Sequence, residues 1–155
     1  MALQSDLVSD LVQDLLALPQ ILTYARNIAT SIVAGPANHC AATLSSLLVF
    51  YGIYPNGGTT GTGDLQPWVP ALAYDLEHRR GWARIGVAGP IMPGDAGVVL
   101  VSPATHHIYL VLDATDQANP LIADNQGTGF HSRPVAGDPA SNYSPTSYFL
   151  RPPAA

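Results

Sequence analysis

The chain carries one cysteine, Cys40, and five histidines: His39, His78, His106, His107 and His131. A thiol with an imidazole is the minimal pair for acyl transfer, because the thiolate attacks a carbonyl while the ring takes and later returns a proton. Cys40 falls at the second position of an expected helix, where outward-pointing amides and the positive end of the helix dipole favour negative charge. His39 is a poor base for it, since neighbouring residues on a helix point about 100° apart. His78, among Glu77, Arg79 and Arg80, reads as a surface residue near a helix end, and His131 reads the same way in a Pro- and Gly-rich tail. His106 and His107 open a strand whose alternation sends them to opposite faces, so only one can meet the sulfur. An orienting residue is expected on the next strand, where Asp124 and Asn125 are both available. A zinc site built from Cys40, His39, His106 and His107 would use two adjacent pairs, which lack the spacing that lets separate ligands converge on one ion. No cofactor is implied.

The elements that must position these groups follow from hydrophobic spacing. Leu3, Leu7, Leu11, Leu15 and Leu18 recur at helical intervals, Pro19 interrupts, and Ile21, Leu22, Ala25, Ile28, Ala29 and Ile32 resume the pattern, giving two helices or one kinked helix. Residues 34–37 break it, and Asn38 is placed to cap the helix that carries the cysteine. Leu44, Leu47, Leu48 and Tyr51 put an apolar stripe on the face of Cys40, and Gly52 is suited to end the helix. Residues 55–63 read as a mobile Gly- and Thr-rich loop. A further helix is expected over 67–80, with Asp64 as its cap and Gly81 after its end. Strands are expected at 97–101, 107–112, 121–124 and 147–150, and the last four residues are expected to fray. Trp68 and Trp82 fit either a groove lining or a core. Helices followed by strands indicate one α+β domain over 1–155, with N-terminal helices in 1–33 and a catalytic core in 38–151.

At 155 residues, with 47% hydrophobic and 11% charged side chains, the chain can bury a core of its own. A net charge of -5 with only six Lys and Arg argues against nucleic acid as a partner. A lone cysteine forms no internal disulfide. The N-terminal residues lack the basic start of a signal peptide, and no apolar run is long enough to span a bilayer. A protein made without a signal peptide, either cytoplasmic or exported by a non-classical route, is therefore expected.

Three motifs occur in order: Cys40-Ala41-Ala42, then Pro93-Gly94-Asp95-Ala96-Gly97-Val98-Val99, then His107-Ile108-Tyr109-Leu110-Val111-Leu112. Together they resemble the papain-like cysteine peptidases and amidases, most closely the bacterial NlpC-type and CHAP peptidoglycan hydrolases. In those families a helix opens with the cysteine, a Pro-Gly-Asp turn introduces a strand, and the next strand opens with the catalytic histidine. The resemblance spans roughly 21–127 and selects His107 over His106. It also likens Asn125-Gln126-Gly127 to the Asn-containing turn of papain-type enzymes, which puts Asn125 ahead of Asp124. The chain departs from the families' Asp-Cys-Ser-Gly, and no glutamine stands six residues before Cys40. The oxyanion would then be held by the amide of Cys40, with the Asn38 side chain either capping the helix or adding a donor. The implied activity is hydrolysis of a peptide bond in bacterial peptidoglycan, with an immunity or inhibitor protein as a possible partner. A deamidase, protease or acyltransferase on intracellular targets uses the same residues, and a non-catalytic binding module would keep only the fold.

Overall fold

The computed structural model describes residues 3–32, 39–53, 68–102, 105–126 and 130–154. Asn38, Asp64, Pro67, the break at 34–37 and the loop at 55–63 lie outside them. Within the described residues the architecture is α+β, four α-helices with a six-stranded antiparallel sheet.

Pro19 separates two helices, α1 (Gln4–Ala17) and α2 (Gln20–Ile32). The buried face of α1 is Val8, Leu11, Val12 and Leu15, whereas Leu3 and Leu18 are exposed at its two ends, so the expected leucine stripe is only its middle. The cysteine helix, α3 (His39–Phe50), differs more from expectation. Every residue from Cys40 to Val49 is buried, including Thr43, Ser45 and Ser46. A helix enclosed on all sides needs no polar stripe, and its small and hydroxyl residues let α2 and the sheet approach closely. The Ser45 and Ser46 hydroxyls settle their hydrogen bonds on the Ala42 carbonyl within the helix. Gly52 ends it as expected: at φ +84° it permits the paired bonds from Gly52 N–H to Val49 and from Ile53 N–H to Leu48.

Helix α4 (Val69–Tyr74) begins after Trp68, with Pro70 in its first turn, and continues as a π-helical turn over Asp75–Arg79. Trp82 is buried and donates its indole N–H to Gln4 at 2.9 Å, while Trp68 is exposed. The C-terminal tail is tied rather than frayed at its start: Pro152 is buried and the Pro153 carbonyl accepts the Ser5 amide.

The strands are β1 (Ala83–Ile85), β2 (Ala96–Val99), β3 (His107–Asp113), β4 (Leu121–Ala123), β5 (His131–Ser132) and β6 (Tyr148–Arg151), in the order β1-β6-β2-β3-β4-β5. The four expected strands occupy the centre. The two unforeseen ones, β1 and β5, are the edges, too short and too exposed to show an apolar pattern. One sheet face packs Val98, Ile108, Leu110 and Leu112 against the helices. The other buries Val99, Tyr109, Val111, Ile122 and Phe149 beneath irregular segments that contribute Ile91 and Val135.

The Pro93-Gly94-Asp95 turn has a mechanical role. Gly94 takes φ +95°, and the Asp95 carboxylate accepts the Met92 amide at 2.8 Å and the Arg151 guanidinium at 2.9 and 2.8 Å. It thereby clamps the entry of β2 to the end of β6. Opposite Gly97, the Tyr109 ring lies so close across the strand pair that a Cβ would overlap it. Gly97→Ala is expected to cost about 1–3 kcal/mol of unfolding free energy through overpacking, read by denaturant titration; an unchanged midpoint would show that the ring has room to move.

Candidate active site

Antiparallel order decides what meets at one end of the sheet. Strands β3, β4 and β5 are successive neighbours, so the start of β3, the end of β4 and the start of β5 share an edge of the sheet. His107 is the first residue of β3, Asp124 follows the last residue of β4, and His131 is the first residue of β5. The start of α3, with Cys40, packs toward the same place.

The Asp124 side chain is fully enclosed and accepts three hydrogen bonds. His107 Nε2 lies 2.7 Å from Oδ2, while His131 Nε2 lies 2.9 Å and the Gln126 amide 2.8 Å from Oδ1. Burial opposes ionisation of this carboxyl, but the hydrogen bonds and charges of both histidines outweigh it and hold it far below the usual carboxylate range. For His107, burial likewise disfavours the charged ring. The hydrogen bond to Asp124 and that to Cys40, with the charges of both, reverse the balance and raise its pKa above the usual 6.5. His131 is also raised, first by its hydrogen bond to Asp124, against partial burial and the Arg133 charge.

With Nε2 committed to Asp124, the nitrogen that His107 has left for the sulfur is Nδ1. The resulting chain is thiol, imidazole, carboxylate and second imidazole. Such a chain can shuttle one proton between sulfur and a leaving group while the carboxylate fixes the ring and offsets its charge. Cys40 is 5% exposed and sits in the first turn of α3, where the leading amides have no partner within the helix.

The expected residues divide as follows. Cys40, His107 and Asp124 come together. Asn125 does not bond His107: its backbone carbonyl accepts Arg26 Nη2 at 3.0 Å, and its side-chain oxygen is buried without a partner. The resemblance put Asn125 ahead, but the side chain that bonds His107 is that of Asp124, because β4 ends at Ala123 and the chain turns there. Asn38, a possible oxyanion donor, lies outside the described residues. His106 is half-buried on the wall of the adjoining pocket. His78 stays exposed beside Glu77, as expected. His131 is the residue missed. It was read as a surface residue of the tail, yet its pairing opposite Ile122 delivers its ring to Asp124. Three polar residues in a row, His131-Ser132-Arg133, carry no local signal of this placement. Among the described residues, no group of three or more His, Cys, Asp or Glu is arranged to hold a metal ion.

A concavity of about 710 Å³ is lined by Ile21, Tyr24, Phe50 and Tyr51 at the opposite end of α3 from Cys40. A smaller polar pocket of about 170 Å³ adjoins His107. Volume alone would choose the first, but the chemistry lies beside the second. Compared with known proteins, the chain matches no family model, no curated protein and no solved structure.

Asp124→Ala would strip both imidazoles of their acceptor and is expected to cost roughly 2–4 kcal/mol of stability. The pH dependence has a definite sign. Stabilisation from the raised histidines is complete below their usual 6.5 and fades as pH rises through their folded values. That from the lowered carboxyl is complete above its usual 3.8 and fades as pH falls through its folded value. The gap between native protein and variant should thus be widest between those two limits, as chemical denaturation across pH would show. A constant gap would mean that the histidines do not depend on Asp124.

Proposed function

We propose that this chain is a cysteine-dependent amide hydrolase of papain-like design, with Cys40 as nucleophile, His107 as base and acid, and Asp124 as the group that orients His107. The observation that carries the reading is a buried imidazole bonded at Nε2 to a buried carboxylate, with the Cys40 thiol among the groups that act on it.

In the proposed reaction His107 Nδ1 takes the Cys40 proton and the sulfur adds to the amide carbonyl. Amides in the first turn of α3, which have no acceptor within the helix, that of Cys40 among them, support the oxyanion. On collapse the C–N bond breaks, its electron pair stays on nitrogen, and the amine leaves with the proton held by His107. Water then adds to the thioester, giving one proton back through His107 to the sulfur as the acid departs. Throughout, Asp124 accepts the Nε2 hydrogen bond without itself being protonated. His131 is assigned a positioning role, holding the second carboxylate oxygen so that the first stays aimed at His107.

The order of the cysteine helix, Pro-Gly-Asp turn and histidine strand supports a bacterial cell-wall peptide as the substrate, since that order resembles the NlpC-type and CHAP hydrolases. Two measurements test the reading. At about pH 6, below the ordinary cysteine pKa of about 8.5, iodoacetamide is expected to alkylate Cys40 faster than free cysteine. Purified sacculi should release new amino termini, with Cys40→Ala inactive and His107→Ala reduced at least about a hundredfold. A sluggish thiol, or cleavage that survives Cys40→Ala, would remove the enzymatic reading; a reactive thiol with intact sacculi would remove only the substrate.

A further inference from the structure

The small pocket beside His107 contains a buried charge with no counter-charge. Arg133 is 3% exposed, and among the described residues no carboxylate pairs with it. Its Nη2 donates to the Ser144 carbonyl at 3.1 Å, while its Nε has no acceptor. The guanidinium lies 4.7 Å from the centre of the Tyr143 ring and 5.4 Å from that of Tyr109. The ring faces offset part of the desolvation of the cation and the Tyr109 hydroxyl takes one hydrogen bond from it, but among the described residues the Nε donor stays unspent.

Three other arginines of the fold are spent on carboxylates. Arg84 holds Glu77, Arg151 holds Asp95 and Arg79 reaches Asp75. An enclosed, unpaired guanidinium is costly, and packing alone would be served better by an apolar side chain of similar size. What distinguishes Arg133 is its position. It shares the pocket with His107, Thr105, Gln126, Asn142 and Ser144, a predominantly polar lining with room for a small group. Asn142 there takes a left-handed conformation, φ 60°, which turns the chain around the pocket after residues 139–141.

We propose that Arg133 is the binding residue for a carboxylate on the amine half of the substrate, so that the preferred substrate is an amide whose leaving group is an amino acid or short peptide with a free carboxylate near the scissile bond. The inference rests on the hydrolase reading for the word substrate, and its side is set by His107. The departing amine must collect its proton from that imidazole, so the amine half lies on the His107 side, where the pocket opens. A planar guanidinium with free N–H donors matches a carboxylate in shape as well as charge.

The test uses the whole protein and the dipeptide glycylglycine, which mimics a released amine half, against glycylglycinamide, which lacks the carboxylate charge. Binding is followed by NMR shifts of the His107 ring and of the amides at Ser144 and Gln126. Glycylglycine is expected to bind at least about tenfold more tightly, the size of one charge-assisted hydrogen bond. Arg133→Gln should level the two ligands, and Arg133→Lys, which keeps the charge without the fork, should retain part of the difference. Equal binding of the two dipeptides to the native protein would overturn the proposal, a result that needs no variant to fold. So would a preference that survives Arg133→Gln, because the histidines would then be its source. Iodoacetamide labelling of Cys40 separates this from the reading beneath it: carboxylate preference with an inert thiol leaves an anion site without the hydrolase, and a reactive thiol without preference leaves the hydrolase without this site.

Discussion

A carboxylate with no solvent contact has to be surrounded by donors, and Asp124 sets that demand for the whole end of the sheet. Its two oxygens take three N–H groups from β3, β5 and the turn after β4. Losing any one of them would leave a buried anion short of a partner, which costs more than an ordinary hydrogen bond contributes. The demand organises the neighbourhood. Strand β5 is only two residues long, and what its pairing accomplishes is the delivery of His131 to Oδ1. Arg26 reaches from α2 to the carbonyl of Asn125, fastening the turn against the helices. The histidine that faces Cys40 is therefore held by a network spanning three strands and not by its own rotamer.

The parts of this arrangement that could be read in the sequence are those set by local periodicity. A helix opening at Cys40 and a strand opening at His107 each follow from spacing over a dozen residues or fewer, and both stand where expected. The enclosure of α3 was not legible in the same way, because Ala, Ser and Thr fit a buried interface or a surface equally well and only the neighbouring elements decide. Strands β1 and β5 escaped because edges this short have no period. His131 escaped with them. Its flanking glycines and prolines describe a turn-rich tail correctly, yet they carry no information about which strand that tail lies against.

Likeness to an Asn-containing turn ranked Asn125 above Asp124, and strand alternation could not reverse that order. Strand alternation holds only while the strand lasts, and β4 stops at Ala123. Past that point the chain turns, the Gln126 amide folds back onto Asp124, and the direction of each side chain is set by hydrogen bonding in the turn. Burial then separates the two: the site at 124 has donors on every side, whereas at 125 the side-chain oxygen finds none.

The same count of donors explains why the residue bonded to His107 is a carboxylate and not an amide. Two histidines present Nε2 to it, and an ionised Asp can accept from both because each oxygen carries lone pairs and neither carries a proton. An amide in that place has one acceptor and one donor. It could satisfy one imidazole as the other two groups stand, but its NH₂ would oblige the second to offer a lone pair at Nε2 and move its proton to Nδ1. If the ring so changed were His107, its Nδ1 would meet the thiol already protonated and could not take the proton from sulfur. A triad with one histidine tolerates an asparagine because only one N–H needs an acceptor. The second histidine removes that freedom, so His131 and an aspartate at 124 are a single device, and neither is intelligible without the other.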